Sequence, residues 1–527
     1  MPFERVYLER TQALSTAATM IEDEIDPRIT PLRRITILVI IILATTLYGT
    51  TILVVSTILP QMRGSFSATA DEIAWVMTFN ILATAIVTPM TGWLDARFGT
   101  RTVMVWSMGG FTLSTFMCGY ATSLEEIVFW RILQGAFGAP TTPLAQSILM
   151  SAFPRRQHAM VLGIFGFGVV IGPIIGPALG GHMAETMTWR WAFYALVPIG
   201  VIATIGLRLV LLPDDERTGK AQLDWTGFIA LSIAIGAVQL VLSRGQRLDW
   251  YDSSEIIIET MIAVVAFWIF AVHSLTAKHP FLNPQHLLNR NYTLGLMIVT
   301  IYGMVNFTPM VLLPPLLREY AGFPDNVIGL IIASRGLGGT IGFLAAGFSS
   351  RLDPRLSMII GFGMLFTAGI WLMTMDLNVT MLSLVANAFL QGMAIGAIWV
   401  PLTVLTFANV RAADMAETTA IYHLLRNLGS SFFISISVTE IVRSTSANYS
   451  RMVELVNPFN KSLSFSDVIG RWDLESARGL AQLGTEINRQ SAMIGYLNAF
   501  GMFTAACACT VPLILLMQKR TGQPAAK

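Results

Sequence analysis

About fourteen apolar runs follow one another along this chain, each close to the roughly 20 residues a helix needs to cross the hydrocarbon layer of a bilayer. They fall near 35–59, 74–94, 102–121, 126–150, 158–181, 190–212, 225–243, 256–275, 292–317, 326–348, 357–375, 380–407, 417–441 and 490–516. Lipid offers no partner to a backbone amide or carbonyl, so each run must satisfy its own as a helix. The expected fold class is therefore an all-α polytopic membrane protein. Of the 527 residues, 54% are hydrophobic and only 13% charged, where a soluble protein carries about 25% charged residues. A net charge of +2 gives no field that would draw nucleic acid, and none is expected as a partner. Cys118, Cys507 and Cys509 lie in apolar runs and read as free packing thiols, without disulfide or metal spacing.

The stretch Gly163–Gly181 stands out among these runs. Gly168, Gly172, Gly176 and Gly180 recur every fourth residue and form one smooth stripe on a helix, along which a neighbouring backbone can approach closely. Pro173 and Pro177 remove backbone donors within the same span and predict a bend there.

An even number of spans puts both chain ends on one side. With the termini inside, basic residues such as Arg33, Arg34, Arg97, Arg101, Arg155 and Arg156 fall in cytoplasmic loops. The opposite short loops keep Arg63, Arg190, Arg244, Arg247 and Arg318. That asymmetry is about threefold and sets the orientation: multi-pass, in a bacterial inner (cytoplasmic) membrane, both termini cytoplasmic. The first thirty residues lack the apolar core of a signal peptide and read as a cytoplasmic arm, amphipathic around Val6, Leu8, Leu14 and Ile21. Residues 442–489 read as one long external loop.

The chain also repeats itself. GWLDARFGTR at Gly92–Arg101 has a counterpart in GFSSRLDPR at 347–355, and LQGA at 133–136 one in LQGM at 390–393, both offset by roughly 255 residues. Two six-span halves with an inserted pair account for that offset. The expected division is an arm at 1–34, a six-helix bundle at 35–212, the inserted pair with its loops at 213–290, a second bundle at 291–516 and a tail at 517–527. Related bundles around a central cavity are the plan of a transporter whose halves rock against each other.

These residues resemble the major facilitator superfamily, in its fourteen-span EmrB-type drug:proton antiporter branch. Gly163–Gly181 resembles the antiporter motif, Gly92–Arg101 the loop motif between spans 2 and 3, and Arg131–Ala139 the span 4 motif with its buried arginine. Trp189–Gly200 resembles the entry to span 6, Arg426–Ser431 a span 13 signature, and Val456–Asn460 part of the external loop. The resemblance implies two six-helix bundles plus two inserted helices. It implies secondary active export of amphipathic small molecules (multidrug efflux) by proton-coupled antiport and alternating access, with the proton gradient as energy source and no cofactor. It also implies a periplasmic adaptor protein. The chain departs from the branch at Thr51 and Asn498, where acids are usual, and at Asp95, one place early in the loop motif, with Ala96 in the usual position. An alternative reading is a dedicated exporter of one anionic metabolite, such as a siderophore, lipid or signalling acid. A membrane-embedded lipid-handling enzyme would need clustered acids, histidines or metal ligands; the sequence offers neither those nor an ATP-binding loop, so no catalytic or metal residues are assigned.

Charge inside a membrane is costly and points to function. Arg131, Arg335, His423 and Arg426 fall deepest, and acids of comparable depth are missing from the sequence, so the interior is expected to favour an anionic or zwitterionic amphipath. The expected central cavity comprises Arg335, Arg426, Asn306, Gln391, Tyr48, Trp399 and Tyr422, with Trp75 and Phe307 as further aromatic wall. Gln134, Asn306, Asn387, Gln391 and Asn427 serve either as a polar route or as glue between helices. His423, Glu440 and Glu259 are candidate proton carriers. Gly92, Asp95, Arg97 and Arg101 form a candidate cytoplasmic latch, and Arg131 with Gln134 a structural or gating pair.

Overall fold

Helix α1, Pro31–Phe66, opens with Thr30, whose hydroxyl accepts the Arg33 N–H at 3.3 Å while Pro31 sits where no donor is needed. The structure is a computed structural model that describes residues 28–214, 222–278, 280–348, 353–411, 414–457, 460 and 476–518. Most of the N-terminal arm, the centre of the long external segment and most of the C-terminal tail lie outside the described residues.

The first half continues with α2 (Ala70–Val87), α3 (Thr91–Phe98), α4 (Thr100–Tyr120), α5 (Leu124–Gly138), α6 (Thr141–Ala152), α7 (His158–Thr186), α8 (Trp191–Tyr194) and α9 (Val197–Val210). Next come α10 (Trp225–Arg244) and α11 (Ser254–Thr276), then α12 (Arg290–Pro315), α13 (Asp325–Phe348), α14 (Pro354–Met373), α15 (Met381–Thr406), α16 (Met415–Val453) and α17 (Ala477–Leu516). Polar caps set the starts. Thr69 and Glu72 form a reciprocal capping box on α2, Ser123 caps α5, Asp224 caps α10, and Asn289 caps α12.

Eleven helices among the described residues are long and apolar enough to cross a membrane. The runs at 102–121, 126–150 and 417–441 are also helical but fall outside that set. The first is rich in Ser, Thr and Gly, and the third carries Glu417, His423, Arg426 and Asn427. The second runs as α5 and α6, interrupted at Ala139–Pro140, where a backbone donor is lost while both residues keep helical backbone angles. Lipid-facing character shows in α11, whose Ile258, Val265, Phe267, Trp268 and Leu275 are all exposed.

One expectation needs correcting at the external segment. α16 runs 39 residues and α17 40 residues, about 58–60 Å each at 1.5 Å per residue. Both therefore continue well past a hydrocarbon core of about 30 Å. Much of 442–489 is helix, not loop.

The glycine stripe fits as its spacing demands. α7 runs unbroken through Pro173 and Pro177. A side chain added at Gly172 would lie 2.5 Å from the Thr46 carbonyl oxygen, and one at Gly176 2.7 Å from that of Thr50. The Thr46 hydroxyl also donates to the Gly168 carbonyl at 2.7 Å. Backbone thus meets backbone along α1 and α7. Another face of α7 meets the second half, where an added side chain at Gly163 would lie 2.6 Å from the Phe343 carbonyl oxygen of α13.

The internal repeat is visible in packing. Gly135 lies against the backbone of Asn80, and Gly392 against that of Arg335. Gln134 donates to the Thr115 hydroxyl at 2.7 Å, and Asn387 to the Ala368 carbonyl at 2.9 Å, each linking helices 19 residues apart in sequence. One face of the molecule gathers the described chain ends: Arg33 Nε donates to the Val210 carbonyl (2.7 Å), and Gln518 and Asn291 exchange hydrogen bonds of 2.8 and 3.2 Å.

Candidate functional site

The centre of the second half is built around Trp399 of α15. Tyr302 of α12 lies 5.5 Å from it between ring centroids, Tyr422 of α16 another 5.5 Å, and His423 5.7 Å. The Arg426 guanidinium sits 5.3 Å above the same indole, a cation–π distance, and its Nη2 reaches Asn427 Oδ1 at 3.1 Å. The Tyr422 hydroxyl pairs with Thr403 at 3.2 Å. One turn along α12 from Tyr302, Asn306 receives Arg335 Nη2 on its carbonyl and, at 3.1 Å, on its side-chain oxygen.

Arg335 is 7% exposed, and its Nε and Nη1 have no hydrogen-bond partner among the described residues. A buried guanidinium held by neutral oxygens has strong reason to attract an anion, since removing charge from water costs several kcal/mol unless it is compensated. Arg335, Asn306, Tyr302, Trp399 and Arg426 form one continuous chain of contacts, with cations at its ends and aromatic rings between.

Arg131 behaves differently. Its Nε donates to the Val76 carbonyl (3.1 Å), its Nη1 to Gln134, and Asn80 Nδ2 donates to the Arg131 carbonyl (2.7 Å). This is a satisfied network binding α2, α4 and α5 within the first half.

The two halves touch along α16, on the face that holds the chain ends. A side chain added at Gly92 would lie 2.7 Å from Glu417 Cα. The Thr419 hydroxyl reaches the Pro143 carbonyl at 3.3 Å, and one turn further His423 Nε2 lies 2.9 Å from Gln146 Oε1. These successive contacts close α16 over α3 and α6, just short of Arg426.

The other sequence candidates are placed as follows. Gln391 is fully buried and donates to Asn387, one turn earlier on α15, at 2.7 Å, while its Oε1 has no hydrogen-bond partner among the described residues. Tyr48 packs on Phe111 and Gly138 inside the first half. Trp75 is exposed and does not join the aromatic wall. Glu259 is ion-paired through Oε1 to Arg244 at 2.9 Å between the inserted helices, while its Oε2 is buried without a hydrogen-bond partner among the described residues. Glu440 lies 3.4 Å from Asn498 Nδ2, which also donates to Ser444 at 2.9 Å. Among the described contacts Arg101 does not pair with Asp95. Its guanidinium binds the Arg208 carbonyl, and its N–H joins the Thr102 N–H and hydroxyl on Asp214, the carboxylate that caps α4. Asp95 Oδ1 is buried without a hydrogen-bond partner among the described residues. Tyr302, Gln146, Asp214 and Glu417 were not singled out in the sequence, since each matters only through residues distant along the chain.

Comparison with known proteins agrees with this geometry. The Major Facilitator Superfamily profile matches residues 41–434. Multidrug export protein EmrB of Escherichia coli K12 is 32% identical over 404 residues, covering 76% of this chain and 79% of that protein. Fatty acid resistance protein FarB of Neisseria gonorrhoeae is 27% identical over 459 residues, 87% of this chain and 90% of that one. Among solved structures, the human organic anion transporter MFSD10 (TETRAN) shares the fold, with a TM-score of 0.61 at 12% identity over 92% of this chain and 100% of that chain. With related helix pairs in two halves, a backbone-tight α1–α7 contact and a polar centre between membrane spans, this chain belongs to the Major Facilitator Superfamily and is a multi-pass membrane transporter, not an enzyme.

Proposed function

We propose that the chain exports amphipathic small molecules by alternating access, taking them from the cytoplasmic side and releasing them outward in exchange for protons. Supporting it are the multidrug export relatives and the charged, aromatic-lined centre. The distribution of Lys and Arg supports a bacterial inner membrane with both termini cytoplasmic, in which case the contacts at Gly92, Pro143 and Gln146 close the cytoplasmic side. The observation that carries the substrate reading is Arg335, buried with two nitrogens that have no hydrogen-bond partner among the described residues, and linked through Asn306, Tyr302 and Trp399 to Arg426. An amphipath with a carboxylate head would meet the guanidinium groups while its apolar part lies on the rings. The relative named for fatty acid resistance fits that chemistry.

His423 is the proton-carrier candidate within this centre, and Glu440 the one nearer the outer end. An outer adaptor would have the helical extensions of α16 and α17 available as its landing place. Proteoliposomes with an imposed pH gradient test the reading, with dodecanoate and dodecyltrimethylammonium as cargoes. Gradient-driven transport of dodecanoate that falls at least tenfold in Arg335→Gln and Arg426→Gln, with the cation less affected, is the expected result. Absence of gradient-driven transport would overturn export; equal loss of both cargoes would overturn the anionic preference.

A further inference from the structure

The inserted pair, α10 and α11, is fastened to α16 near both membrane faces. On the face opposite the chain ends, Ser435 donates to the Leu242 carbonyl at 2.7 Å and Trp250 Nε1 to the Thr439 hydroxyl at 3.0 Å. Asp249 and Trp250, which form that connection, both have left-handed backbones at φ 54 and 53, a conformation non-glycine residues adopt only when their surroundings hold them there.

On the opposite face, Asp224 gathers three pieces of the same unit. It accepts the Gly227 N–H that starts α10 (3.0 Å), His273 at the end of α11 (2.9 Å) and the Phe281 N–H of the following linker (3.0 Å). Two residues on, the Asn283 N–H donates to Glu417 Oε1 at 2.8 Å, with His286 Nε2 3.8 Å from that oxygen. The linker is therefore tied to its own helices by one carboxylate and to α16 by the next. Midway, Leu231 and Ile235 of α10 share an apolar cluster with Leu424 and Leu428 of α16 and with Ala85 of α2, a contact without hydrogen bonds.

The contact with the first half is of another kind. A side chain added at Gly236 of α10 would still stand 3.7 Å and 3.8 Å from Leu82 and Ile86 of α2. Apolar surfaces with that clearance can slide, because no directional bond has to break. Hydrogen bonds in or beside lipid resist breaking, since water does not replace them.

We infer that the inserted pair is strapped to α16 and travels with the second bundle, so that the sliding surface at this edge of the molecule lies between α2 and α10. The inference rests on the alternating-access reading above and adds to it which half the extra helices follow.

Spin-label distances in the full chain in lipid test it, on a background with Cys118, Cys507 and Cys509 changed to Ala. One pair reports inserted helices against second half (Asp252→Cys with Asn378→Cys). Another reports inserted helices against first half (Asp252→Cys with Glu125→Cys). Gln146→Trp on α6, which takes no part in the hydrogen bonds that strap the inserted pair, serves as a wedge that parts α6 from α16. The expected result is an unchanged first distance and a second that moves by several ångströms. Adding Ser435→Ala and Glu417→Ala should then broaden the first distance. If the first distance moves while the second holds, the pair rides with the first bundle and the inference falls with export intact. If neither moves, there is no exchange of conformations, and both readings fall.

Discussion

His423 Nε2 and Gln146 Oε1 meet at 2.9 Å although 277 residues separate them in sequence, and their hydrogen bond joins the two halves inside the membrane. A buried hydrogen bond whose loss leaves its partner unsatisfied costs about 1–3 kcal/mol. Gln146→Ala should therefore shift the balance towards the form parted at this seam by roughly 5- to 150-fold. The rate at which a membrane-permeant maleimide labels Ala420→Cys, buried behind the seam, should rise accordingly. An unchanged rate would mean the bond does not hold the halves together.

The α1–α7 contact allows a sharp comparison between neighbouring glycines. A methyl group at Gly176 would meet the Thr50 carbonyl at 2.7 Å, whereas Gly181 has nothing within 4 Å of where its side chain would begin. Overpacking of this kind costs about 1–3 kcal/mol. Gly176→Ala should lower the unfolding midpoint in detergent by several degrees and Gly181→Ala should leave it in place. Equal effects would show that helix propensity, not the close approach, decides these positions.

The linker contact with α16 should depend on pH. Attraction to the Glu417 carboxylate, 3.8 Å away, raises His286 above its ordinary value near 6.5, more than partial burial lowers it. Because the folded value is the higher one, the stabilisation is complete below 6.5 and is lost as pH rises through the folded value. Asp224 goes the other way. Burial pushes it up, but the Gly227 N–H, His273 and the Phe281 N–H together hold it below its usual 3.8, so its contribution is lost only as pH falls beneath that value. A midpoint measured from pH 6 to 8.5 should decline in the native chain and decline less in His286→Gln. Identical slopes would exclude His286 as the cause.

Glu259 provides a negative test of proton coupling. Its carboxylate is engaged by Arg244 between α10 and α11. Glu259→Gln should keep gradient-driven transport within about twofold, since a partly exposed ion pair contributes only about 1 kcal/mol or less. Loss of pH dependence in that variant would return Glu259 to the coupling pathway.

The membrane spans were readable because lipid leaves an apolar run few alternatives. Their ends were harder to read. Beyond Glu440 the sequence turns polar, which signals departure from lipid, yet α16 remains helical to Val453 because helix formation does not require an apolar surface. Arg335 and Arg426 stood out as charges in apolar surroundings. Tyr302, which connects them by way of Trp399, looked like any interior aromatic residue. Gln391 illustrates the converse: a polar side chain in a span has the same appearance in sequence whether it faces cargo or bonds to a neighbour such as Asn387. Nothing local in the sequence distinguishes those outcomes.

Where α7 rests on α1, carbonyl oxygens already stand at the distance that even a methyl group would require. Those positions have no smaller residue left to become and no room for a larger one. A change of cargo is therefore open to the rings and amides of α12, α15 and α16, while the α1–α7 contact beside them leaves substitution almost no freedom.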